Sequence, residues 1–118
     1  MPHFVLEYTP HAKKDDFKPL LKKFHAIFNV NGITPASKCK SRANPLTDYL
    51  LGEDPEASFV HLSVSFLDHP TPLAQDKLRL VGDQVKAAMV EFFDGVAKVE
   101  FSMEMRFLRK ELYWRNAD

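Results

Sequence analysis

From Ala97 to Phe107 every second residue is apolar, with Ala97, Val99, Phe101, Met103, Met105 and Phe107 alternating against Lys98, Glu100, Ser102, Glu104 and Arg106. A period of two sustained this long belongs to an extended strand with one face toward a core. Phe59 to Phe66 repeats the pattern, with Val60, Leu62, Val64 and Phe66 on one side and Phe59, His61, Ser63 and Ser65 on the other. Phe4 to Tyr8 is a shorter strand, and Ser37 to Asn44 reads as a more polar one. Between strands the period changes to three and four: Phe17, Leu20, Leu21, Phe24, Ile27 and Phe28 form one stripe, and Leu78, Val81, Val85, Ala88, Met89 and Phe92 another. These are two amphipathic helices. Pro19 suits a first turn, so Asp15 or Asp16 is the expected cap and Gly32 the stop. Thr71-Pro72 opens the second helix, Gly82 weakens it slightly, and Gly95 ends it. Pro45 to Ala57, with Gly52, Pro55 and several acids, is a loop.

The order is strand, helix, strand, loop, strand, helix, strand. It predicts a two-layer α+β fold: a duplicated βαβ-βαβ chain, with halves of about 2–44 and 58–108, building a four-stranded sheet with two helices on one face. The other face is left uncovered, and a small sheet of that kind is commonly completed by a partner. The 118 residues suit one domain spanning 1–118.

Sixteen basic and sixteen acidic side chains give a net charge of zero, which supplies no broad field for a phosphate backbone. Nucleic acid is not an expected partner. Apolar stretches fall short of the roughly 20 residues of a membrane span, and no secretion-signal layout opens the chain, so a cytoplasmic protein without membrane contact is expected. Cys39 is the single cysteine and reads as a small residue in a strand. The five histidines include no i, i+4 helical pair, so no metal site is expected. There is no GxSxG elbow and no Gly-rich phosphate loop. Paired acids such as Asp15-Asp16 and Glu53-Asp54 fall in caps and loops.

Pro2 directly follows the initiator. Removal of Met1 would turn its nitrogen into a secondary amine, a base that no internal residue can supply. With Met1 attached that nitrogen is a planar, non-basic amide, and Pro2 then merely opens an edge strand.

Pro2-His3-Phe4-Val5-Leu6-Glu7-Tyr8, Lys40-Ser41-Arg42-Ala43, Asp48-Tyr49-Leu50-Leu51-Gly52 and Phe59-Val60-His61-Leu62 resemble 5-carboxymethyl-2-hydroxymuconate isomerase, a branch of the tautomerase superfamily. The likeness extends to the tail Glu111-Leu112-Tyr113-Trp114-Arg115-Asn116. The resemblance implies a cofactor-independent isomerase of aromatic catabolism and a homotrimer. It also implies an amino-terminal proline that moves a proton in an enol or dienol carboxylic acid. Pro2 would be the general base. An ordinary α-amino group titrates at about 7.7–8.0, so a working proline needs a dry pocket and nearby cations to depress it.

A cation must hold the substrate carboxylate and the charge developing on the enol oxygen. Forked recognition favours Arg42 as the principal catalytic cation, with Lys40 two residues away on the same strand face. For both, a solvated strand edge is the competing reading, and the resemblance favours the site. His61 and His3 are expected in hydrogen-bonded structural roles. Relatives tend to carry a Gly-Arg-Ser turn after the third strand, where this chain has Asp68-His69-Pro70-Thr71-Pro72. His69, when protonated, is the substitute candidate for binding the acid, with Lys77 or Arg79 as further possibilities. A non-catalytic trimer that binds small acids is the alternative function.

Overall fold

The computed structural model describes residues 2–12, 14, 16–67, 75–96 and 98–116. Strand β1 is His3–Tyr8, helix α1 Lys18–Val30, β2 Lys40–Pro45, β3 Ser58–Leu67, α2 Gln75–Phe92 and β4 Val99–Leu108. The sheet order is β2-β1-β3-β4. β1 pairs parallel with β2, β3 pairs parallel with β4, and the two central strands β1 and β3 run antiparallel. Two βαβ units therefore meet at the β1–β3 seam, as the duplicated pattern predicts.

Alternation decides what each strand buries. Phe4, Leu6 and Tyr8 of β1 and Val60, Leu62, Val64 and Phe66 of β3 pack with Leu20, Phe24 and Phe28 of α1 and with Val81, Val85, Ala88 and Met89 of α2. Both helices therefore lie on one face. Rings make up much of the layer: Phe4 sits 5.9 Å from Phe24 and 4.9 Å from Phe28 by centroid, and Phe28 meets Phe66 edge-on at 5.9 Å. Such pairs contribute beyond their buried area. The helices are tied across their outer edge by Lys23–Glu91 at 3.5 Å and by the Asn31 amide donating to Gln84 at 2.8 Å.

At α1 the N-cap is Phe17, which makes no side-chain cap bond, rather than the expected aspartate, while the first-turn proline and the Gly32 stop stand as read. Asp16 accepts from the Lys18 N–H at 3.0 Å, and proline stands in the first turn. At the other end Gly32 adopts φ +71°, its N–H bonds to the Asn29 carbonyl, and the Ile33 N–H bonds to that of Phe28. This is the Schellman arrangement, which needs a left-handed residue. Gly95, at φ +86°, follows α2. Asp15 and the Thr71-Pro72 helix start lie outside the described residues, as do Met1, His69 and Ala97.

Two strand starts differ from the sequence reading: β4 begins at Val99, after Lys98 in a turn at φ +56°, and β2 begins only at Lys40. Ala36–Lys38 form a 3-10 turn, and Cys39 is its extended, half-buried C-cap rather than a strand residue. The turn satisfies its own donors: Lys38 N–H bonds to Pro35, Cys39 N–H to Ala36, and Ala36 N–H to the Asn29 side chain. β1 begins at His3, whose partner is Lys40, so residues before Lys40 have no strand to pair with.

Candidate active site

The parallel pairing of β1 and β2 builds the site. Pro2 is buried at the head of β1, and its carbonyl accepts the Lys40 N–H at 2.9 Å. His3 lies opposite Lys40 and Val5 opposite Arg42 in the register. Alternation then puts Lys40, Arg42 and His3 on the sheet face away from the helices, while Pro2 and Phe4 alternate toward them. Lys40 and Arg42 are exposed.

Arg42 Nη1 lies 3.1 Å from His3 Nδ1, and His3 Nε2 lies 3.2 Å from the Tyr113 hydroxyl. A guanidinium can only donate, so Nδ1 accepts and the imidazole proton resides on Nε2, directed at Tyr113. Burial lowers the His3 pKa, and the positive charges of Arg42 and then Lys40 lower it further. The neutral ring that the hydrogen bonds require is thus also the form that the surroundings favour. Arg42, His3 and Tyr113 form a continuous chain from the edge strand to the C-terminal tail.

On the layer beneath, His25 of α1 bonds to the Ser41 hydroxyl at 2.9 Å and packs against the Phe4 ring at 5.5 Å. Burial lowers its pKa and raises that of the Cys39 thiol.

His61 lies farther along the same open face as His3. It meets Ser102 Oγ at 2.6 Å and Glu104 at 3.2 Å, and Glu104 also accepts from Arg106 at 2.5 Å and from Ser63 at 3.4 Å. The Glu104 carboxyl is held below its ordinary range chiefly by Arg106 and then by His61. This is the hydrogen-bonded setting expected for His61. Among the described residues no group of three metal-ligating side chains converges, and no helix is long and apolar enough to cross a membrane.

Among the described residues, Lys40 and Arg42 thus share the open sheet face with His3, joined to Pro2 only through the Lys40 N–H, while Pro2 alternates toward the helices and His69 lies outside the described residues. Sequence reasoning missed Tyr113. Its signal was present, an aromatic pair in a basic tail without periodicity, but nothing in local spacing connects residue 113 to residue 3.

The arrangement has relatives. A 5-carboxymethyl-2-hydroxymuconate isomerase from Deinococcus radiodurans R1 superposes with a TM-score of 0.82 at 23% identity, covering 99% of this chain and 90% of that one. A 5-carboxymethyl-2-hydroxymuconate delta-isomerase gives 0.79 at 15% identity over 100% and 89%. A macrophage migration inhibitory factor-like protein from Entamoeba histolytica gives 0.61 at 13% identity over 98% and 95%. At these identities the likeness speaks for a tautomerase-like fold. No curated protein matches the sequence. The model of the family described as 5-carboxymethyl-2-hydroxymuconate isomerase matches residues 2–118, and on that match the chain belongs to this family of isomerases.

Proposed function

We propose that the protein is a cofactor-independent tautomerase of enol or dienol carboxylic acids, such as 5-carboxymethyl-2-hydroxymuconate, with Pro2 as general base and Arg42 as principal anion anchor. The observation that carries this reading is the buried Pro2 joined by its carbonyl to Lys40, one residue from the His3 that holds Arg42. Once Met1 is removed, the Pro2 nitrogen has a lone pair. It takes the enol O–H proton, the enol electrons shift to make the carbonyl and displace the conjugated double bond, and the resulting ammonium returns the proton to carbon. Arg42 and Lys40 hold the carboxylate and the charge on the enol oxygen. For that amine to be free near neutral pH, a dry pocket and nearby cations must lower its basicity.

We read residues 1–118 as one domain, assembling as a homotrimer. The sheet supports this, because β2 and β4 are edge strands with one side unpaired. A single cysteine without a disulfide suits the reducing cytoplasm.

The test is ketonisation of phenylenolpyruvate followed in the ultraviolet, on untagged protein whose intact mass shows loss of Met1. Pro2→Ala is expected to lower kcat by about 100-fold. Arg42→Ala is expected to act mainly on KM, by about ten-fold. The wild-type rate should rise with pH through one ionisation, since only the unprotonated amine is a base. Turnover unchanged in Pro2→Ala would overturn Pro2 as base, and retained Met1, or a trimmed chain with no rate above buffer, would leave the non-catalytic small-acid-binding reading in its place.

A further inference from the structure

We propose that the C-terminal tail carries a second anion anchor, in which Lys110 and Arg115 bind the distal carboxylate of a dianionic acid whose near carboxylate is held by Arg42. The proposal rests on the reading of Arg42 given above and supplies a cation in place of the arginine that the sequence Asp68-His69-Pro70-Thr71-Pro72 lacks.

The register brings the tail to the right end of the sheet. His3 pairs with Ser65, Ser65 with Arg106 and Leu67 with Leu108, so β3 and β4 end where β1 and β2 begin. Past Leu108 a 3-10 turn, Lys110–Leu112, reverses the chain, with the Leu112 N–H bonded to Arg109 and the Tyr113 N–H to Lys110. Tyr113 then reaches back to His3. The tail therefore passes the end of β3 and encloses a groove of about 450 Å³ lined by Leu67, Lys110, Tyr113, Trp114 and Arg115. That volume suits a small organic acid.

Arg109 is engaged by Glu111 at 2.7 and 3.0 Å, but among the described residues neither Lys110 nor Arg115 has an acidic partner. Trp114 is 80% exposed, although indole is costly to leave in water. Two cations without an acidic partner among the described residues, flanking two aromatic rings, match a ligand with a carbon chain and a terminal carboxylate. Tyr113 lines the groove and also accepts from His3, which accepts from Arg42, so the two anion sites are adjacent.

Trp114 is the only tryptophan in the sequence, so its emission reports on the groove without any turnover. Adipate is a saturated dicarboxylate that neither reacts nor absorbs in the indole band. It is expected to change the emission saturably, with hexanoate, of equal length and one carboxylate, binding about ten-fold more weakly. Lys110→Ala/Arg115→Ala is expected to abolish that preference with an unchanged circular dichroism spectrum. If the double variant does not fold, Lys110→Gln and Arg115→Gln singly are each expected to weaken adipate several-fold. Emission indifferent to adipate, equal affinity for the two acids, or a preference surviving in these variants overturns the proposal. Pro2→Ala should keep adipate binding. Failure of the proline mechanism would then appear as turnover surviving in that variant, and failure of the tail anchor as lost discrimination between the acids with turnover still dependent on Pro2.

Discussion

His3 accepts from Arg42 through one ring nitrogen and donates to Tyr113 through the other, a division of roles open only to the neutral imidazole. Its pKa is lowered from 6.5 by burial and by Arg42 and Lys40, and that of His25 is lowered by burial. The unfolded chain therefore binds more protons than the folded one just below pH 6.5, and stability rises with pH through that window. The contribution is complete above 6.5 and is lost as pH falls through the folded pKa values. Thermal midpoints measured across this range are expected to drop on the acid side. His3→Gln should make the drop shallower, because an amide can accept from Arg42 and donate to Tyr113 without titrating. An unaltered slope would remove His3 from the account. Replacing Arg42 by lysine should recover only part of the acid binding lost in Arg42→Ala, since an ammonium lacks the fork.

At the level of elements, the helices differ in how their glycines are used. Gly32 closes α1 in a left-handed conformation, and Gly32→Ala is expected to cost about 1 kcal/mol. Gly82 lies inside α2 over β4, where an added methyl would meet the Met103 and Met105 methyl groups at 3.7 and 3.8 Å, ordinary contact distances. Gly82→Ala should therefore stabilise the fold by about 0.5–1 kcal/mol through helix propensity. Urea midpoints of the two variants should move in opposite directions. The alternation of β3 and the stripes of both helices were legible in sequence because each reports one element against one core. The start of β2 was not, because a strand exists only where a partner strand runs beside it, and β1 begins too late to pair with Ser37 or Lys38.

For the whole molecule, the sheet has one face under two helices and one face carrying His3, Arg42, His61 and Glu104, with unpaired edges at β2 and β4. Sedimentation equilibrium is expected to give three chains per particle, and a monodisperse monomer would count against that assembly. Phe107, 48% exposed on the β4 edge strand, is a position where substitution by a charge tests the contact. Phe107→Lys is expected to shift the particle toward monomer and, by removing the ring that meets core Phe66 at 4.9 Å, to lower the thermal midpoint as well.

The sequence by itself determined the layers of this protein: alternation set which face of each strand is dry, three-and-four spacing set which side of each helix meets it, and a prolyl residue behind the initiator marked the head of β1. These are local consequences of backbone geometry, readable wherever side chains repeat with a fixed period. The pairing of Lys40 with Arg42 followed from the same period. Tertiary structure alone decided that Arg42 leans on His3, that the chain folds Tyr113 back over residues more than a hundred positions earlier, and that Lys110 and Arg115 share a groove beside them. No repeat encodes those contacts, because they arise where the parallel and antiparallel registers bring four strand ends to one edge of the sheet.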